Sequence, residues 1–118
     1  MSQRVAKVSR LIQRSFGEIL QKEADLPPDA IVTVSAVETK PNLRSAKVWL
    51  YILTFPVDDP KRAEEVLEHL RGQIYELQGF LNKTLSMRPL PRIKLQLDHG
   101  AEYAARIDQR IRGNYPGA

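Results

Sequence analysis

From its first residues the chain sorts into stretches of two hydrophobic periods. Val5, Val8, Ile12, Phe16, Ile19 and Leu20 recur at spacings of three and four, which at about 100° per residue gathers them on one side of an α-helix. The pattern predicts a helix over residues 2–22. Arg4 and Leu11 fall at the margins of the apolar stripe, while Lys7, Arg10 and Arg14 fall almost opposite it. One side of the helix is thus fitted to a core and the other shows cations to solvent. Pro27-Pro28 ends it, because proline cannot continue a helix. Residues 31–37, Ile-Val-Thr-Val-Ser-Ala-Val, are rich in β-branched side chains and read as a strand, although the alternation leaves its buried face undecided. Lys40-Pro41-Asn42-Leu43 supplies turn chemistry. A second strand over 46–53 alternates cleanly, with Ala46, Val48, Leu50 and Ile52 on one face and Lys47, Trp49, Tyr51 and Leu53 on the other. Strands this close in sequence predict an antiparallel hairpin.

Pro56-Val57-Asp58-Asp59-Pro60 is both a break and a helix start. Asp59 suits the N-cap, Pro60 the first helical position, and Glu64 and Glu65 the positive end of the helix. Ala63, Leu67, Leu70, Ile74, Leu77, Leu81 and Leu85 then form a long apolar stripe, interrupted by Gly72 and Gly79, either of which can kink it. Met87-Arg88-Pro89-Leu90-Pro91 closes the helical region, and Ile93, Leu95 and Leu97 alternate with Lys94 and Gln96 as a third strand. A short amphipathic helix is expected over 101–111, and residues 112–118 read as a frayed end. The expected architecture is α+β, with helices on one face of a three-stranded sheet. Residues 1–100 form the domain and 101–118 a short helix and tail.

Composition narrows the class. A length of 118 residues fits one domain, and 42% hydrophobic residues allow a core that hides roughly two-thirds of the unfolded surface. The absence of Cys removes disulfides, thiolate metal sites and Cys nucleophiles, and fits a reducing compartment. No apolar run approaches about 18 residues, and the opening MSQRVAKVSR lacks the apolar centre of a signal peptide. A soluble cytoplasmic protein with no membrane association is the expectation. The net charge of +4 becomes informative when divided along the chain. Residues 1–17 carry +4 without an acid, 18–55 carry −1, 56–70 carry −3, 71–97 carry +4, and the remainder balances. If the two cationic blocks meet in space, a polyanion has a place to dock.

Catalytic chemistry finds no footing. His69 follows Glu65 by one helical turn, which reads as a surface pair, and His99 follows Asp98 in a dipeptide common in turns. Zinc-protease spacing, a nucleophile elbow and a phosphate-cradling glycine loop are all absent, so neither an enzyme nor a metal or cofactor site is expected. Trp49 and Tyr51, with Lys47, could stack bases, but cross-strand packing on the open sheet face is the better account of them. Gly72 and Gly79 stand too far apart for the Gly-x-x-Gly turn with which KH modules clamp a nucleotide backbone. Charge and shape, rather than base reading, are then the determinants to expect.

The order of these features resembles a known family. Arg4-Val5 opens a basic helix; Ile31-x-Thr33-x-x-x-Val37 and Lys40-Pro41-Asn42-Leu43-x-x-Ala46-Lys47-Val48-Trp49-Leu50 follow. Leu85-x-Met87-Arg88-x-Leu90-Pro91-x-Ile93-x-Leu95, then Asp98, is the most specific stretch. Over residues 2–111 the chain is similar to the ribosome-binding factor A family of bacterial small-subunit assembly factors. The resemblance implies a type II KH-like fold of order α-β-β-α-(kink)-α-β. It also implies a non-enzymatic factor that binds the immature 30S subunit on its 16S rRNA, in late maturation and 5′-end processing, with a role in cold adaptation. The expected partners are the small subunit and its RNA, met by one monomer per subunit. That family has Ala-x-Gly at the helix kink. Counting back from Pro91 puts this position at Gln73-Ile74-Tyr75, which does not match, while Leu77-Gln78-Gly79 offers the glycine one turn later and is the candidate kink. Asn42, Trp49 and Gly100 replace a usual Asp, Tyr and Ser. The candidate RNA-binding residues are Lys7, Arg10 and Arg14 on the first helix and Lys83, Arg88, Arg92 and Lys94 in the second block, with Arg4 and Arg71 beside them. The alternatives are a protein–protein adaptor using the Trp49/Tyr51 face, and a KH-like mRNA-binding regulator.

Overall fold

Each predicted period resolves into an element of the computed structural model, which describes residues 3–100. The elements are α1 (Gln3–Glu23), β1 (Ala30–Thr39), β2 (Ser45–Thr54), α2 (Pro60–Arg71), α3 (Ile74–Thr84) and β3 (Arg92–Asp98). The expected helix over 101–111 and the tail lie outside the described residues. The strands form one sheet in the order β1-β2-β3, with β1 antiparallel to β2 and β3 parallel to β2. All three helices cover the same face, so the fold is α+β and KH-like, as expected.

The core follows from the two periods. Val5, Val8, Ile12, Phe16, Ile19 and Leu20 are the buried residues of α1, and they meet Ala46, Val48, Leu50 and Ile52 of β2, all 3% exposed or less. Ile93, Leu95 and Leu97 extend the same buried layer onto β3. The undecided face of β1 has a physical cause. A bulge between Val34 and Ala36 shifts the register at Ser35, which breaks strict alternation and increases local twist. Ser35 is buried there and donates to Asp98 Oδ2 at 2.7 Å, a bond that passes over β2.

The β1–β2 turn explains one departure from the family pattern. Asn42 Oδ1 accepts from Arg44 N at 2.9 Å, an acceptor role that an Asp would fill equally. Leu43 takes the left-handed conformation at φ 61°. At the start of α2, Asp59 caps by accepting from Lys61 N at 3.0 Å, and Pro60 opens the helix. Glu64 and Glu65 lie beyond the first turn, so the capping carboxylate there is that of Asp59.

The kink falls elsewhere than Leu77-Gln78-Gly79, which lie inside an unbroken α3. The long helical stripe breaks at Gly72–Gln73. Gly72 caps α2, Gln73 N donates to Leu70 O at 2.9 Å, and a new helix starts at Ile74. The Gln73 side chain reaches the segment after α1: its Oε1 accepts from Asp25 N at 2.8 Å and its Nε2 donates to Asp25 O at 3.0 Å. These two bonds satisfy backbone groups just past the end of α1 and direct α3 back along it.

Phe16 is fully buried among these elements. Replacing it with alanine should destabilise the domain by about 3–5 kcal/mol. In urea unfolding the midpoint should fall with little change in slope.

Candidate nucleic-acid interface

Two side-chain bonds orient α1. Ser9 Oγ donates to Thr39 Oγ1 at 2.7 Å, and Gln21 Nε2 donates to Val32 O at 3.2 Å. The helix therefore runs antiparallel to β1, with its N-terminal half at the end of the sheet where the β1–β2 turn lies. The parallel pairing of β3 begins at Ser45 with Arg92, which places the start of β3 at this same end. α3 leaves Gln73 near Asp25 and ends in the loop that feeds β3, with Gln78 tied to that loop. Gln78 Nε2 donates to Pro91 O at 3.1 Å, and its Oε1 accepts from Ile93 N at 2.8 Å.

The two cationic blocks therefore meet, though at one end of the sandwich rather than on one face. Arg4, Lys7 and Arg10 arrive on α1, and Lys83, Arg88, Arg92 and Lys94 from α3, the loop and β3; all are exposed. Ile93 and Leu95 face the helices, so Lys94 points to the other side of the sheet, beside Lys47, with which it pairs in register. The cations thus wrap around the end. Lys40, Arg44 and Lys47 join them from the β1–β2 hairpin. These three were hidden by counting charge along the chain, because residues 18–55 are net negative. Their signal was the hairpin itself, which folds that segment so that its cations and its acids part. Glu38, opposite Lys47, is the acid among the described residues at this end. The opposite end gathers Glu18, Glu23, Asp25, Asp29, Asp58, Asp59, Glu64, Glu65 and Asp98 against Lys22, Lys61 and Arg62.

Individual residues separate further. Arg14 lies halfway along α1 and reaches Glu18 at 3.9 Å, with both side chains well exposed, a weak pair. Arg71 is turned inward: Nη2 donates to Leu95 O at 2.9 Å and Nη1 to Glu68 Oε1. It fastens α2 to the free edge of β3, and its charge is matched. Arg88 Nη1 donates to Leu85 O and Met87 O at 3.1 and 2.9 Å and shapes its own loop. Arg4 stands in the first turn of α1, which has no acid. The macrodipole disfavours a cation there by about 0.3–1 kcal/mol, so helix stability does not account for it. Trp49 and Tyr51 lie half-buried on the open sheet face, with Lys47 Nζ 6.0 Å from the Trp49 ring centre.

His69 does not pair with Glu65. Its Nε2 lies 3.0 Å from Asp25 O and 3.3 Å from Asp25 Oδ2, while Glu65 takes Arg62 Nη1 at 3.2 Å. Arg62 also donates from Nε and Nη2 to the two oxygens of Asp29, at 2.8 and 3.0 Å. That bidentate bond holds the Asp29 carboxyl below the usual carboxylate range and raises the Arg62 guanidinium. No group of three or more potential metal ligands occurs among the described residues, and no helix among them is long and apolar enough to cross a membrane.

The fold is that of a KH-like α+β domain, with its exposed cations gathered at one end. A family model of ribosome-binding factor A matches residues 4–111, and the chain belongs to that family. The Bdellovibrio bacteriovorus ribosome-binding factor A is 33% identical over 106 residues, spanning 90% of this chain and 76% of that protein. The Opitutus terrae protein of the same name is 35% identical over 109 residues, spanning 92% and 85%. The fold is shared with the coordinates of a Thermus thermophilus ribosome binding factor A homology model fitted into a cryo-EM map of a 30S complex. That likeness has a TM-score of 0.59 at 22% identity and covers 86% of this chain and 98% of that one.

The depressed Asp29 carboxyl has a pH signature. A carboxyl lowered in the folded state adds stability that is present above its unfolded value, near 3.8, and is lost as pH falls through the folded value. Asp29→Asn should therefore flatten the acid limb of the stability–pH curve below about pH 5 while lowering stability near neutrality. Urea unfolding across that range reads both.

Proposed function

We propose that this protein is a non-enzymatic maturation factor of the small ribosomal subunit that docks its cationic end on 16S rRNA. The observation that supports this best is the separation of charge: Arg4, Lys7, Arg10, Lys40, Arg44, Lys47, Lys83, Arg88, Arg92 and Lys94 share one end with a single acid, Glu38, among the described residues. The cations come from α1, the hairpin, α3 and β3, so they are spread across the end and suit a phosphate surface rather than one small anion. Family membership and the Thermus relative's place in a 30S complex agree with this reading. On it, one monomer binds each immature subunit in the cytoplasm and holds rRNA away from its mature position during late assembly and 5′-end processing. Conditions that slow RNA rearrangement, such as cold, would raise the need for it.

Reversing Lys7, Arg10 and Arg14 to Glu should reduce co-sedimentation with immature small subunits to background while the circular dichroism spectrum stays that of the wild type. Binding by the unchanged protein should fall steeply with salt, by nearly one unit of log–log slope per phosphate on duplex RNA and about 0.7 on a single strand. Undiminished co-sedimentation of the triple variant overturns the reading.

A further inference from the structure

β3 is an edge strand, and two grooves run beside it with opposite linings. The groove toward α2 holds about 380 Å³ and is walled by Glu64 and Glu68, with Arg71 bonded across it to Leu95 O. Phosphates are repelled there. The groove between α3 and the start of β3 holds about 660 Å³, and no carboxylate lines it. It presents Tyr75, Asn82, Lys83 and Arg92 over Ile74 and Gln78.

Two features of this second groove add nothing to stability, and a third fixes its shape. Tyr75 is 89% exposed on α3, so its ring adds almost nothing to the core. Gly79 follows one turn later on the same side of the helix, and a Cβ there would meet nothing within 4 Å. Alanine would fit that space and favour the helix, yet the position is left bare, which keeps the floor beside the Tyr75 ring open. Gln78 is fully engaged, bonding Pro91 O, Ile93 N and Asn82 Oδ1. That arrangement fixes the floor and turns the Asn82 amide nitrogen outward as a donor. The volume lies within the range of about 300–1,000 Å³ that small-ligand sites occupy.

We propose that this groove takes one unpaired nucleotide of an RNA strand, its base stacked on Tyr75 and its phosphates met by Lys83 and Arg92. The inference rests on the RNA-docking reading above and adds to it a preference for single-stranded over paired RNA, since only an unpaired base exposes a face to an aromatic ring.

The test uses a short single-stranded RNA carrying one 2-aminopurine, whose fluorescence falls on stacking, together with immature small subunits. The wild-type protein should quench the single strand and leave the matching duplex unquenched. Tyr75→Ala should weaken single-strand binding roughly tenfold, as expected for one base–aromatic stack, and abolish the quenching; Tyr75→Phe should keep both. Gly79→Leu keeps the ring but fills the floor beside it, so it should also abolish quenching, and its thermal melt reports that the fold persists. If Tyr75→Ala and Gly79→Leu quench and bind as the wild type does, while reversal of Lys7, Arg10 and Arg14 removes binding, the groove assignment is wrong and RNA docking stands. If the wild-type protein binds neither the RNA nor the subunits, both fall.

Discussion

The central strand β2 imposes the constraint from which the rest of the molecule follows. It is flanked by a strand on each edge and buries Ala46, Val48, Leu50 and Ile52 on one face only. Three helices must be seated over that single face. α1 lies along β1, and α2 packs over β2 and β3; a straight continuation of α2 would leave the apolar side of α3 without a core to enter. The break at Gly72–Gln73 resolves this by sending α3 back against α1, and Gln73 secures the reversal on the backbone of Asp25. Once α3 is so directed, its exit loop reaches the hairpin end, and β3 enters the sheet parallel to β2. The position of the cations is thus a product of helix packing and needs no attraction among them.

Elements governed by one clean period were legible in the sequence. α1 and β2 show it best: every apolar residue assigned to their core faces is buried. Where two effects compete, the pattern blurs. β1 carries a bulge at Ser35 that no alternation could reveal, because the residue is polar and its reason for burial, the bond to Asp98, comes from 63 positions away. The helix break was narrowed to Gly72 or Gly79, but choosing between them required Gln73 to find Asp25 across 48 residues. His69 found the same Asp25 rather than its helical neighbour Glu65. For the site, the cations of α1 and of the second block were visible as charge runs. Lys40, Arg44 and Lys47 were not, since acids adjacent in sequence cancel them and only the hairpin separates the two.

The two ends of the domain also differ in what their residues do for the fold. At the acidic end, polar groups are used locally. Thr54 Oγ1 donates to Val57 O and accepts from Asp59 N, both at 2.8 Å, Asp59 caps α2, and Arg62 joins Asp29 to Glu65. These contacts hold the connection between sheet and helix layer. At the cationic end Arg4 opposes the dipole of its own helix, and along α3 Tyr75 and Gly79 leave the outer side bare. A sequence shaped for stability alone would choose differently at those positions, the kind of local disagreement expected at functional sites.

Separated charge makes the molecule an electric dipole as well as a cation. Near a polyanion a dipole feels a torque before it feels a contact, and the torque turns the hairpin end inward while the Asp58–Glu65 end is pushed away. At physiological ionic strength this alignment acts within the Debye length, about 8 Å, the last few layers of water. On the proposed docking, orientation would be settled during approach, and a seated copy would show its acidic end to the solvent.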